Sequence, residues 1–234
     1  MTDSSEYADR DVVVTGGTGA LGSAVVGRLL EAGARVHVPC IDASELEQFP
    51  HRDHERVRVE HPVDLTDAAA VGRFYDGVDS PWASIHIAGG FAFTPLADVE
   101  MQDIEGQMRI NTATCLLCCQ AAAARMTGGG RMVNVTARPA LDGFQGANLT
   151  AYVASKAGVA SITQSLATEL LEADILVNAI APSTIDTPAN REAMADADFD
   201  RWVKPVDAAE VVAFLASPRN RVVSGALVPV YGKA

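Results

Sequence analysis

Tyr152 and Lys156 stand four residues apart in the run Ala151-Tyr-Val-Ala-Ser-Lys156. At the start of a helix that spacing puts both side chains on one face. A phenol, with an ordinary pKa of about 10, is a poor acid or base at neutral pH. A neighbouring ammonium stabilises the phenolate and lowers that pKa. Such a pair can exchange a proton with a substrate oxygen. A solvated surface pair has the same spacing, so a second feature must decide between the two.

The second feature is Thr15-Gly-Gly-Thr-Gly-Ala-Leu-Gly22. Gly16 lets the chain turn sharply, Gly19 lets backbone approach a ligand, and Gly22 lets a helix pack closely on a strand. The helix N-terminus then offers free N–H groups and a partial positive charge to a pyrophosphate. Gly17, Gly19 and Gly22 satisfy the dinucleotide spacing, between an apolar run and a helical pattern. With a nicotinamide dinucleotide bound there, the Tyr-Lys pair can move a proton while hydride is transferred. Dinucleotide folds often carry an acid after the second strand to hold the ribose hydroxyls. Here the region reads Val38-Pro-Cys-Ile-Asp42, so Asp42 is two residues late and Cys40 holds the expected place. Neither this region nor the glycine turn contains Arg or Lys. A 2′-phosphate finds little positive charge, and NAD is favoured over NADP.

The elements that position these residues follow from periodicity. Short apolar runs at 11–14, 35–38, 56–60, 83–87, 131–135, 175–180 and 226–230 read as strands. Helical patterns fall at 20–32, 66–75, 101–126, 150–171 and 205–216. Gly33 closes the first helix. Strands alternating with helices imply an α/β fold: a single Rossmann-type domain over 1–234, its doubly wound parallel sheet covered by helices on both faces. Ligands in such sheets bind beyond the carboxyl ends of the strands, where the winding reverses. The first ten residues are polar and acidic and are expected to be flexible.

Composition narrows the partners. Apolar residues are 48% and charged residues 21% of the 234, which excludes a disordered chain. Eighteen basic against 30 acidic residues give a net charge of −12, so nucleic acid and anionic membranes are excluded as main partners. No apolar run reaches membrane-spanning length, and the acidic N-terminus is unlike a signal peptide. Cys40, Cys115, Cys118 and Cys119 make no disulfide framework, which points to a reducing, cytoplasmic setting. Cys115, Cys118 and Cys119 lie at i, i+3 and i+4 and read as a buried helix face. A metal there lacks a fourth ligand nearby in sequence, and His51, His54 and His61 read as surface residues, so no metal is expected.

In order and spacing the chain resembles the short-chain dehydrogenase/reductase family from end to end. The resemblance is carried by Thr15-Gly16…Gly22, Asp64-Leu65, Ala88-Gly89, Asn111, Asn134-Val135, Tyr152…Lys156, Asn178-Ala-Ile-Ala-Pro182, Gly225 and Tyr231-Gly232. It implies an NAD(P)-dependent oxidoreductase that interconverts a carbonyl and an alcohol, assembled as a homodimer or tetramer. Tyr152 is then the general acid/base, Lys156 holds the nicotinamide ribose and lowers the Tyr152 pKa, and Asn111 fixes a water linking Lys156 to solvent. Thr18, Ala20 and Leu21 would line the pyrophosphate, and Asp64 and Leu65 would flank the adenine. Ala88, Gly89 and Gly90 would pass beneath the ribose. Pro182, Ser183, Ile185 and Thr187 would hold the nicotinamide carboxamide, and 188–204 would form a lid over the substrate.

The pattern also breaks. Aligning Asn134-Val-Thr-Ala137 on the family's usual Asn-Ile-Ser-Ser puts Ala137 where a Ser normally donates to the substrate oxygen, and the interval to Tyr152 is two residues longer than the family's usual one. Thr136, Gln145, Asn148 and Thr150 are candidate replacement donors. His86-Ile87 stands for a usual Asn-Asn, Ala20 for one usual Gly and Ser183 for another. The stretch 137–143 resembles dihydropteridine reductases, which carry an apolar residue at this place and reduce a conjugated imine. A dinucleotide-binding sensor or scaffold without catalysis is the other alternative. Phe91, Phe93, Leu96, Phe144, Met194, Phe199 and Trp202 are expected around an apolar pocket. Asp196, Asp198 and Asp200 make the lid acidic, which favours an apolar-to-neutral small-molecule substrate.

Overall fold

Residues 5–233 are described by a computed structural model. Seven strands run β1 (Asp11–Thr15), β2 (Arg35–Pro39), β3 (Val57–Glu60), β4 (Ala83–His86), β5 (Gly130–Val135), β6 (Ile175–Pro182) and β7 (Leu227–Val230). They form one sheet in the order β3-β2-β1-β4-β5-β6-β7, every pair parallel. Every residue of β5 and β6 is buried, as central strands covered on both faces must be. The chain winds outward from β1 to β3, then returns to lay β4 against the other side of β1. That reversal opens a crevice at the carboxyl ends of β1 and β4.

Alternation along β1 sends its side chains into two cores. Val12 and Val14 pack with Leu21, Val25 and Leu29 of α1 (Ala20–Glu31) and Val212 and Leu215 of α9 (Pro205–Ala216). Val13 points the other way, toward Phe74 of α3 (Ala68–Asp76), Cys118 and Cys119 of α5 (Thr114–Arg125) and Val159 of α7 (Thr150–Glu169). The cysteines therefore form a buried helix face. The remaining helices are α2 (Ala43–Gln48), α4 (Met101–Gln107), α6 (Arg138–Leu141) and α8 (Pro188–Ala193).

Three differences from the sequence reading matter. The helix expected over 101–126 is α4 and α5 joined by a π-helical stretch, Met108–Ala113, which holds Asn111. The wider turn changes the direction in which that side chain leaves the helix. The short α2 was not expected from periodicity; it buries no residue and rests on Asp42, whose carboxylate accepts from Ser44 N. Residues 5–10, expected to be flexible, are docked: Tyr7 is fully buried with its hydroxyl on Ala213 O, and Glu6 pairs with Arg219 at 2.9 Å. The rest of that expected tail, 1–4, lies outside the described residues.

Candidate active site

The glycine turn crosses the carboxyl end of β1. Gly16 adopts φ +65°, and a Cβ there would sit 2.7 Å from Ala88 N. A Cβ on Gly22 would run into Gly16 O. Both positions therefore require glycine. Gly19 differs: nothing lies nearer than 3.5 Å to its Cβ position. It is the N-cap of α1 and supplies no side-chain cap, so no capping side chain occupies the first-turn amides around Ala20 and Leu21. An uncapped N-terminus behind a glycine cradle fits a pyrophosphate.

Beside this cradle the charges are negative. Thr18 Oγ1 donates to Glu45 Oε2 at 2.6 Å, tying the turn to α2. Cys40 is buried, with its Sγ 3.2 Å from Asp42 O. The Asp42 carboxylate accepts from Ser44 Oγ and N, both at 2.7 Å, and these bonds hold its pKa down. Asp64 is anchored in the same way, by Thr66 N and Oγ1 at 2.8 Å, and its pKa too is lowered. Leu65 beside it is half-buried. The two acids expected to face adenosine are thus held by their own local turns, and Glu45 is the acid that contacts the glycine turn.

The Tyr-Lys pair lies across the crevice on the first turns of α7. Lys156 is buried and its Nζ donates to Val135 O at 3.0 Å. Burial lowers its pKa to about 8. Tyr152 meets Phe91 edge-to-face at 5.1 Å between centroids, and burial raises its hydroxyl to about 12. A Cβ on Gly89 would strike Asn111 Oδ1 and lie 3.1 Å from Lys156 Nζ. The loop after β4, the π turn and α7 therefore converge on one point. Asn111 Nδ2 reaches Ser155 Oγ at 3.0 Å, and Ser155 Oγ donates to Tyr152 O at 2.7 Å. Ala88 N donates to Thr15 Oγ1 at 3.3 Å, which secures the start of that loop.

Beyond β6 the chain forms a strap. Pro182 ends the strand, and Ser183 donates through N to Val230 O and through Oγ to Tyr231 O. Ile185 pairs with Val203 and Thr187 caps α8 by accepting from Asn190 N. Asp186 binds Arg191 and Lys204, which hold its pKa far down. Phe91 and Phe93 are exposed, and Phe144 is 98% exposed. Trp202 is buried against Phe199 at the base of the strap.

Ala137 is buried at the end of β5, a methyl where a donor would be expected. Of the replacement donors, Thr136 is committed: its buried hydroxyl donates to Lys156 O at 2.7 Å. Gln145, Asn148 and Thr150 are exposed. The sequence reading missed Glu45, Ser155 and Arg138. It also missed that His86, Cys115 and Cys119 bring their ligand atoms within 4.8 Å of one another. Both nitrogens of that imidazole are already engaged, Nε2 by Ser84 Oγ at 2.8 Å and Nδ1 by Asn134 Oδ1 at 2.7 Å. His51 is half-buried, its Nε2 bonded to Ser23 O at 3.1 Å, rather than a plain surface residue.

A family model described as enoyl-(acyl carrier protein) reductase matches residues 17–232. The cis-4-hydroxycyclohexanecarboxylate dehydrogenase of Sinomonas cyclohexanicum is 31% identical over 242 residues, covering 97% of this chain and 96% of its own length. An NADPH-dependent aldehyde reductase-like chloroplastic protein of Arabidopsis thaliana is 29% identical over 258 residues, covering 96% of this chain and 94% of its own. The solved structure of a short chain dehydrogenase/reductase family protein superposes with a TM-score of 0.89 at 28% identity, covering 97% of each chain.

Proposed function

Because the chain belongs to the short-chain dehydrogenase/reductase family and is an NAD(P)-dependent oxidoreductase, we propose that it interconverts a carbonyl and an alcohol through Tyr152 and Lys156. The observation that carries this is the convergence of Gly89, Asn111 and Lys156 at one point on the helix that bears Tyr152. Among the described residues the buried amine donates to Val135 O alone, which leaves donors for the ribose hydroxyls of the dinucleotide. A nicotinamide held there would supply or accept the hydride. Tyr152 gives its proton to the carbonyl oxygen in reduction and takes it back in oxidation.

The raised Tyr152 hydroxyl needs a counter-charge to act near neutral pH, and the Lys156 ammonium supplies it. General acid/base catalysis of this kind contributes about 10²–10⁴-fold in rate. Asn111 positions the loop 88–90 against α7. Ala88, Gly89 and Gly90 underlie the ribose, Thr18, Ala20 and Leu21 line the pyrophosphate, Asp64 and Leu65 flank the adenine, and Pro182, Ser183, Ile185 and Thr187 hold the carboxamide. NAD is the favoured cofactor, because the stretch 39–47 carries Asp42, Glu45 and Glu47 and no Lys or Arg, and Glu45 already touches the turn.

Met101, Ile104, Met108 and Leu116 are exposed apolar side chains on and around α4 and α5; their exposure supports a homodimer or tetramer in which a second copy would cover them. Four free cysteines support a cytoplasmic site. The test is a panel of ketones, aldehydes and pteridines mixed with NADH or NADPH while the reduced nicotinamide absorbance is followed. Turnover is expected with carbonyl compounds. Cofactor binding without oxidation across the panel would replace this reading with that of a sensor.

A further inference from the structure

Arg138 follows Ala137 directly, as the first residue of α6 at the carboxyl end of β5. Its guanidinium lies 4.8 Å from the Tyr231 ring centroid, one residue past β7. Because β6 lies between β5 and β7, the side chain crosses above the carboxyl end of β6, where the strap begins. Ser183 Oγ holds Tyr231 O at 2.8 Å, and Lys233 N donates to Arg201 O at 3.1 Å, which seats the C-terminal turn against the base of the strap. The cation therefore lies between the loop that precedes Tyr152 and the strap that follows β6.

No acid answers this cation. Among the described residues Arg138 has no ion pair, although acids outnumber bases 30 to 18 and the strap itself carries Asp196, Asp198 and Asp200. Its Nε is buried without a hydrogen-bond partner. The neighbouring cations Arg191 and Lys204 are both paired, with Asp186. A half-buried guanidinium left unpaired is unfavourable and is relieved by a ligand that accepts its planar fork, for which a carboxylate is the geometric match. A multiply charged phosphate is disfavoured by the acidic strap and the net charge of −12.

We propose that Arg138 is a substrate-binding residue that takes a carboxylate, so that the substrate is a carbonyl or hydroxy compound with an apolar body and one anionic end. This rests on the reading that the crevice beside Tyr152 is where the carbonyl is reduced, and it replaces the expectation of a neutral substrate. Phe91, Phe93 and Phe144, exposed at the rim, suit the apolar body.

The test has a binding arm and a turnover arm. The NADH-loaded protein is titrated with cyclohexanecarboxylate and with cyclohexanecarboxamide, following cofactor fluorescence. The carboxylate is expected to bind about tenfold tighter or more, the size of a charge-assisted hydrogen bond. Arg138→Met should erase the difference without lowering the melting temperature, and Arg138→Lys should keep part of it. Equal binding of acid and amide, or a preference that survives in Arg138→Met, overturns the proposal. In the turnover arm, oxo acids are compared with their methyl esters, and kcat/KM should favour the acids only when Arg138 is present. Turnover without regard to the carboxylate refutes the proposal and leaves the oxidoreductase reading intact. A carboxylate preference in binding with no turnover of any carbonyl does the reverse.

Discussion

Asn111 and Gly90 are joined twice: Gly90 N donates to Asn111 Oδ1, and Asn111 Nδ2 donates back to Gly90 O, each at 3.0 Å. A side-chain amide bonded this way acts like a neighbouring strand for one residue, holding the loop beyond β4 at a fixed height. The same Nδ2 reaches Ser155, whose hydroxyl holds Tyr152 O. The loop beyond β4 and the turn that carries the phenol are therefore parts of one network.

Gly89→Ala should break that network. Its Cβ collides with Asn111 Oδ1 and crowds Lys156 Nζ at 3.1 Å. Turnover is expected to fall by about tenfold or more, since misplacement by about 1 Å can cost 10²-fold. Gly72→Ala, inside α3 with nothing within 4 Å of its Cβ, is the control; it should stabilise the protein by about 0.5–1 kcal/mol and leave turnover alone. Equal activities in the two variants would refute the network.

Lys156 should cost stability for the sake of chemistry. Burial lowers its pKa from 10.5 to about 8. Below pH 8 the amine is charged in the folded and unfolded chains alike, and the burial penalty is present in full. Between about pH 8 and 10.5 the unfolded chain binds more protons, so this group's contribution to stability improves as pH rises. Lys156→Met should therefore melt a few degrees higher at neutral pH, at about 2–4 °C per kcal/mol for a chain of this size, and lose turnover. A lower melting point, or the same alkaline gain as wild type, contradicts the account.

These features differ in how far they could be read from the chain. The sheet and its order of elements were legible because β1, β5 and β6 are apolar runs and the glycine turn sits between a strand and a helix. The π stretch 108–113 was not, since a one-residue change of helical period leaves no mark in an apolar pattern. Helix α2 was hidden because none of its residues is buried, so only the Asp42 cap marks it. Tyr152, Lys156 and the glycines announced themselves by local spacing. Glu45, Arg138 and the His86 network depend on partners such as Thr18, Tyr231 and Asn134, which spacing cannot pair.

Glu45 should select the cofactor. Its carboxylate is bonded to Thr18 at 2.6 Å, close to where a 2′-phosphate would bring further negative charge. Wild type should prefer NADH, and Glu45→Arg should shift the NADPH/NADH ratio of kcat/KM upward by about tenfold or more. A wild-type preference for NADPH that Glu45→Arg leaves unmoved contradicts this.

Ala137→Ser should restore a donor at the substrate oxygen. One such donor is typically worth about 10²–10³-fold when removed from a site built around it; a gain of roughly tenfold in kcat with a ketone is expected here. No gain would mean that another group already fills that place.

The most direct measurement is a paired one on Tyr152→Phe: affinity for NADH by fluorescence titration, and single-turnover reduction of the best carbonyl of the panel. The account predicts unchanged cofactor affinity and a rate lower by about 10²–10⁴-fold. A variant that reduces the carbonyl at the wild-type rate would contradict it.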